Sequence, residues 1–485
     1  MSHYLAADLG AESGRVMLGT IDGGRLALEE LHRFPNQPVR LPTGLYWDTL
    51  RLWQEILDGL TVAGRQRGLP VNGIGVDTWG VDFGLLGADG ALVDNPRHYR
   101  DARNNGMLEK TVEALGRREI FEATGIQFMQ LNSLCQWHAL KLAGSPALET
   151  ARTLLFMPDL FNYFLTGVRK AELTIASTSQ FYDPRRKTWA RGLLNSLGVN
   201  ASILPEIVAP GTRLGSVLRS VADQTGLPPD TPVYATACHD TASAVAAVPA
   251  EGHEGWCYIS SGTWSLMGVE RDEPIINEQA LELNLTNEIG AEGRVRLLKN
   301  IAGLWPLQEC RRAWETYSYE DLTRMAETAE PLTAFINPDA FLEPGHMPER
   351  IAAFCRDTGQ PAPEGPAQTT RVILESLALR YRQVLESLET LTGESIRVIH
   401  IVGGGSRNRL LNQLVADATG RTVIAGPSEA TAAGNVLIQA MGAGEIKNFD
   451  ELRSIVRRSF DVTEHRPSTA KGWDQALQRF VSISS

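Results

Sequence analysis

Residues 238–245 read CHDTASAV, a histidine–aspartate pair at the end of an apolar β-type run and at the head of a helix of tiny residues. A carboxylate at that junction is either a helix N-cap or, held rigidly at a strand end where α/β proteins place their ligands, a general base. Asp240 is therefore a candidate for proton transfer, with His239 either filling space or standing beside it. A second set, DLGAESGR at 8–15, mixes glycine, hydroxyl and cation between two strand-like runs. Amides in such a turn can face an anion, Ser13 and Arg15 add donors, and Asp8 could hold a hydrated Mg²⁺. An ordinary hairpin with Arg15 as a solvated charge has the same composition, and Glu12 would repel a phosphate. Ser260-Ser261-Gly262-Thr263-Trp264 repeats the pattern, and a nucleoside triphosphate needs donors on both sides of its phosphate tail.

A third segment, HIVGGGSRNRLLNQL, runs from β-formers through Gly403, Gly404 and Gly405 to the helix-start residues Ser406 and Asn408. Three glycines let the backbone lie against a ligand at a helix N-terminus. The segment lacks the last glycine of GxGxxG and an acidic residue after a second strand, which disfavours a nicotinamide dinucleotide, and no GxxxxGK(S/T) pattern occurs. A nucleotide clamp outside both families fits better, with AGPSEATAAGN (Gly426, Ala433, Gly434) as a second close-approach segment. GVDTWGVDF and YRDARNNG bring Asp77, Trp79, Gly80, Asp82, Arg100, Asp101, Arg103 and Asn104 into one polar and aromatic group. Such a group suits a polyhydroxylated ligand, whose hydroxyls donate and accept while its C–H groups pack on indole. Core packing for Trp79 and a surface ion pair for Asp101 with Arg103 are the plainer alternatives for single members.

Short β-rich runs alternate with amphipathic helices, which points to an α/β protein. Expected strands include HYLAADLG, GRVMLGTID, GIGVDTWG, TPVYATAC, WCYISSG, TWSLMGVE and IRVIHIVGGG. Expected helices include WDTLRLWQEILDGLTVAGRQRG, after a capping Asp, and TTRVILESLALRYRQVLESLETLTG, which stops at a glycine. LAADLGAESGRVMLGTI and CYISSGTWSLMGVE share one strand-turn-strand grammar, which suggests a duplicated architecture of two domains, 1–242 and 243–485. At 485 residues with 43% hydrophobic content, more than one core is expected. Net charge −11 and the absence of a basic run argue against nucleic acid, and no stretch is long and apolar enough to span a membrane. Five scattered cysteines without CxxC spacing, and an N-terminus without a secretory pattern, fit a reducing, cytoplasmic setting.

Together DLGAESGR, GVDTWGVDF, YRDARNNG, MPDLFNYFLTG, CHDTASAV, SSGTWSLMG, LLKNIAGLW and IVGGGSRNRLLNQL resemble the FGGY carbohydrate kinases, most closely the branch that phosphorylates L-rhamnulose. The resemblance spans about residues 4 to 460. It implies two actin-like, RNase H-like domains flanking a catalytic cleft, ATP and Mg²⁺ as cofactors, and a ketose as substrate. Asp240 would take the proton of the sugar 1-hydroxyl, with His239 and Thr241 beside it and Gly80 in the sugar pocket. Ala11, Glu12, Ser13, Gly14 and Arg15 would line the phosphates, and Thr263, Asn300, Gln308 and Gly404 the rest of the ATP site. Glu12 departs from the small or hydroxylated residue usual at that turn. Another ketose such as L-fuculose, or a non-catalytic actin-like nucleotide sensor, are the competing expectations.

Overall fold

The computed structural model describes residues 1–469 and 471–484. The chain forms two compact units, Met1–Glu251 with Glu270–Leu297 and Ala430–Ser459, and Gly252–Val269 with Leu298–Glu429 and Phe460–Ser485. The cut expected after residue 242 falls inside a helix, Asp240–Ala246, and two later segments pack with the first unit. The physical reason is the helix Ala430–Gly442, whose apolar residues are buried in the first unit's core.

The first unit is built on a six-stranded sheet of β1 (Ser2–Leu9), β2 (Ser13–Asp22), β3 (Arg25–Pro35), β4 (Gly73–Thr78), β5 (Thr212–Ser216) and β6 (Pro232–Ala235). Its order is β5-β6-β4-β1-β2-β3. The first three strands form an antiparallel meander, while β4 runs parallel to β1 and β6 parallel to β4. β1 and β4 are buried along nearly their whole length, as strands covered on both faces must be. β3 lies at the edge and exposes charged residues, which protects it from pairing with another chain. On one face the helix Thr49–Thr61, capped by Asp48, inserts Leu52, Ile56, Leu57 and Leu60 into a core shared with Leu5, Val16 and Val76.

Ala430–Gly442 covers the other face, and glycines make room for it. A Cβ at Gly19 would lie 2.6 Å from Val436, and one at Gly75 2.6 Å from Asn435. Asp240–Ala246 approaches the same helix so closely that a Cβ at Gly434 would lie 1.8 Å from the Ser243 carbonyl oxygen. Gly434 therefore serves helix packing rather than the nucleotide approach expected for it.

The second unit repeats the grammar. β7 (Trp256–Ser261) pairs antiparallel with β8 (Ser265–Arg271) and parallel with the later strand Val398–Val402, as β1 pairs with β2 and β4. The helix Gly365–Thr392 ends at Gly393 with φ +70°, the left-handed cap that the sequence placed there. Among the described residues no helix is long and apolar enough to cross a membrane. All five cysteines are buried and free.

Because Gly434 faces backbone rather than a movable side chain, Gly434→Ala is expected to cost about 3 kcal/mol or more by overpacking, read as a lower urea midpoint. Gly192→Ala, where an added Cβ meets nothing within 4 Å, should leave the midpoint unchanged or slightly raised.

Candidate active site

Asp240 opens its helix directly behind β6, one residue after the bridge between Thr78 and His239. Its Oδ1 accepts from the Thr241 amide at 2.5 Å and from Thr241 Oγ1 at 3.1 Å, and lies 3.5 Å from His239 Nε2. All three contacts fall on one oxygen, Oδ1. The side chain keeps 29% of its surface exposed. Burial, followed by the Asp8 carboxylate, pushes its carboxyl up to about 7 against the pull of Thr241 and Arg296. A carboxylate poised there is half ionised near neutrality, the range in which a general base is most effective. Helix capping by its own side chain, the plainer reading of Asp240, is not what the geometry shows, since His239 occupies the N-cap position.

The strand end is pinned from behind. Glu172 caps the short helix Leu173–Ala176, accepting from the amides of Thr174 and Ile175, and also accepts from the Cys238 amide at 3.1 Å. Thr174 Oγ1 donates to Glu172 at 2.6 Å and accepts from the His239 amide at 3.1 Å. Nothing in the AELTIAS segment that supplies these groups signals that its carboxylate caps a helix or holds another segment.

In the parallel pairing of β1 with β4, Asp8 lies beside Asp77. Asp8 receives Arg15 through Nε at 3.0 Å and Nη2 at 2.8 Å, and Asp77 receives Asn435 Nδ2 at 2.5 Å. Burial and the charge of Asp8, with a smaller push from Asp240, raise the Asp77 carboxyl well above its ordinary range. Asp77 is fully buried and its Oδ1 has no partner. It belongs to an acidic group with Asp8 and Asp240 rather than to a sugar pocket. At the start of β2, Gly14 is required by packing, because a Cβ there would lie 2.2 Å from the Phe34 ring. Arg15 is bound to Asp8 instead of standing free toward a phosphate. Ala11, Glu12 and Ser13 are partly or fully exposed on the turn itself.

The polar and aromatic group divides in two. Asp82 is fully enclosed, accepting from Trp47 Nε1 at 2.6 Å, Trp79 Nε1 at 3.0 Å and Gln136 Nε2 at 2.7 Å. It holds the two indoles in place, 3.9 Å between centroids, and is shut off from solvent. Burial pushes its carboxyl up to about 6 against those hydrogen bonds. Arg103 does keep capacity: Nη2 donates to Gln136 at 3.1 Å, while buried Nε and Nη1 have no acceptor. Desolvation, then the charge of Arg97, lowers it to about 10, so it stays cationic at neutrality. Gly80 precedes Val81, whose φ of +68° is strained for a β-branched residue. Thr178 Oγ1, accepting from the Val81 amide at 3.2 Å, and Ser133 Oγ, donating to the Val81 carbonyl at 2.5 Å, hold that conformation. Trp47, Gln136 and Thr178 come from distant segments, and no local spacing marked them.

In the second unit the Ser261–Trp264 turn closes through the Gly262 amide to the Trp264 carbonyl, 2.8 Å. The helix Trp305–Trp314, which carries Gln308, starts against it, with the Trp305 amide 3.2 Å from the Thr263 carbonyl. Gln308 Oε1 is buried without a donor. Of the three glycines, Gly405 makes room for Ser261, whose Oγ would lie 2.0 Å from an added Cβ, and Gly403 has φ +82°. Only at Gly404 would a side chain meet open space. Asn408 caps the following helix Arg409–Thr419, as its type suggested. Asn300 lies on the strand Val295–Ile301, partly buried.

Comparison with known proteins adds an independent line. Residues 3–247 match the N-terminal domain of the FGGY family of carbohydrate kinases, and residues 257–443 its C-terminal domain. A rhamnulokinase of Bacteroides thetaiotaomicron is 46% identical over 480 residues, covering 99% of this chain and 98% of that protein. One of Oceanobacillus iheyensis is 40% identical, covering 96% and 99%. The fold is similar to the ligand-bound xylulose kinase of Lactobacillus acidophilus (TM-score 0.79, 13% identity, 100% and 96% of the two chains). It is also similar to the ADP-bound glycerol kinase of Plasmodium falciparum (TM-score 0.78, 15% identity, 100% and 97%). With both domains matched along nearly its whole length, the chain belongs to the FGGY family of carbohydrate kinases.

Proposed function

We propose that the protein transfers the γ-phosphoryl group of ATP to the 1-hydroxyl of L-rhamnulose, giving L-rhamnulose 1-phosphate and ADP. The substrate follows from the relatives named rhamnulokinase, 40–46% identical over nearly the full length. The chemistry rests on one observation, an aspartate with Oδ1 tied down and Oδ2 open, at a carboxyl range near 7. In this reading Asp240 accepts the proton of the 1-hydroxyl while that oxygen forms its bond to the γ-phosphorus and the bond to the ADP oxygen breaks. Such transfers need little covalent help, and the protein contributes alignment and charge stabilisation. Gly80, Arg103 and the Trp79 face, with His239 and Thr241, are assigned to the ketose in the first unit. Thr263, Asn300, Gln308 and Gly404 are assigned to the nucleotide in the second. Of the turn before β2 and the start of that strand, we keep Ala11 to Ser13 for the phosphates and give Gly14 and Arg15 structural roles.

A divalent cation fits the acidic group, since the Asp8 charge raises the carboxyls of Asp77 and Asp240 and Asp77 Oδ1 is buried unpaired. Asp8 would hold Mg²⁺ through water, and the ion would neutralise charge on the phosphates when bound.

Asp240→Asn preserves shape and removes basicity, so it should lower kcat by about 10²-fold or more with KM for ATP little changed; near wild-type kcat would refute the base assignment. Asp240 must be ionised to act, so kcat/KM for the sugar should rise with pH through a midpoint at about 7. A rate that stays flat between about pH 5.5 and 8 would contradict that. Gly404→Val should raise KM for ATP far more than KM for the sugar, because a side chain there would occupy the open space. Equal changes in both would mean the glycine only shapes its turn.

A further inference from the structure

Behind the reacting carboxylate lies a chain of groups that the sequence did not mark. Arg296, on the strand Val295–Ile301, is completely buried, and its Nη2 sits 3.0 Å from His239 Nδ1 and 3.1 Å from Glu288 Oε2. Its Nε donates to the Ile289 carbonyl at 3.4 Å. Glu288, on the strand Thr286–Ile289, also lies 3.4 Å from His239 Nδ1. Two arrangements compete for the imidazole. A protonated Nδ1 would donate to Glu288, whereas a bare Nδ1 would accept from Arg296. A guanidinium has donors only and stays protonated, so a 3.0 Å contact from its Nη2 requires Nδ1 to be the acceptor. The imidazole proton must then sit on Nε2, the nitrogen facing Asp240 Oδ1 at 3.5 Å.

We propose that Arg296 is a positioning residue that locks His239 in the Nε2–H tautomer, so that the histidine acts as a donor to Asp240 Oδ1 and leaves Oδ2 as the oxygen that meets the substrate. This rests on Asp240 being the base, and it adds what fixes that base's orientation. The charged and titratable groups around the imidazole are Asp240 on its own segment, Arg296 and Glu288. Burial, then the Arg296 charge, holds the ring well below the ordinary histidine range and hence neutral. Its backbone is fixed independently by Thr174, so the ring's proton placement is the freedom that remains for Arg296 to settle. Glu288 in turn balances the guanidinium, which would otherwise be a buried charge without a counter-ion.

The direct test is ¹H–¹⁵N long-range correlation NMR on the full chain with ¹⁵N-labelled histidine at neutral pH, the His239 signal assigned by its loss in His239→Gln. The expected pattern is a bare Nδ1 and a protonated Nε2. A protonated Nδ1, or a doubly protonated ring, overturns the proposal, and this holds whether or not any Arg296 variant folds. Arg296→Met should shift that signal toward the other tautomer or the cation and lower kcat by about 10- to 100-fold, with KM for ATP within about twofold. Arg296→Lys, which keeps a cationic donor, should recover part of both. An Arg296→Met enzyme with unchanged tautomer and kcat would overturn the positioning role. Full activity of Asp240→Asn would instead remove the base reading and leave the tautomer result standing, so the two failures are distinguishable.

Discussion

The contacts of the Asp240 carboxylate with Thr241 and His239 all fall on Oδ1, and the segments around it fix the backbone that supplies them. A carboxylate that could rotate freely would present either oxygen and lose the alignment on which phosphoryl transfer depends. Here the Thr241 amide and hydroxyl, with His239 Nε2 nearby, all converge on Oδ1. Those donors are placed by backbone, and that backbone is pinned by Glu172 and Thr174 from one side and by the bridge from Thr78 on the other. The close contact of Ser243 with Gly434 then fixes the helix that follows. The common effect of these contacts is to remove rotational freedom before substrate arrives.

The electrostatic arrangement has the same economy. Three carboxylates near one another are unfavourable in a poorly solvated site, and burial with the Asp8 charge raises the carboxyls of Asp77 and Asp240. That tension has a use in a kinase: it tunes a base toward neutrality and creates a demand for positive charge. Arg15 answers part of that demand at Asp8, while the neutral Asn435 amide donates a hydrogen bond to Asp77. The polar and aromatic group shows the complementary device, with Asp82 spent entirely on holding Trp47, Trp79 and Gln136 while Arg103 retains unused donors.

Much of this was legible in the sequence where a short segment does the whole job. Strands with long apolar runs, Asp48 as a cap, Gly393 as a stop and the repeated hairpin grammar were all readable because their causes are local. The place of Asp240 at a strand-to-helix junction was readable for the same reason. Glycines were read less well, because a missing Cβ looks the same whether a ligand or a neighbour needs the space. Gly14 serves Phe34, Gly405 serves Ser261 and Gly434 serves Ser243, and of the three glycines in the late motif only Gly404 faces open space. Groups that act at a distance in sequence, such as Glu172 on Cys238, Arg296 on His239 and Trp47 on Asp82, left no signal in any one segment. Two segments returning to the first unit broke a division that a linear cut could not describe.

ATP-dependent phosphorylation of one particular ketose can be read directly from coupled ADP release with ATP and Mg²⁺ across L-rhamnulose, L-fuculose, L-ribulose, L-xylulose and glycerol, comparing kcat/KM. The highest value is expected for L-rhamnulose by at least about tenfold, the scale that a few pocket contacts supply. Preference for another member of the panel, or no acceptor-dependent ADP release from any of them, would contradict it.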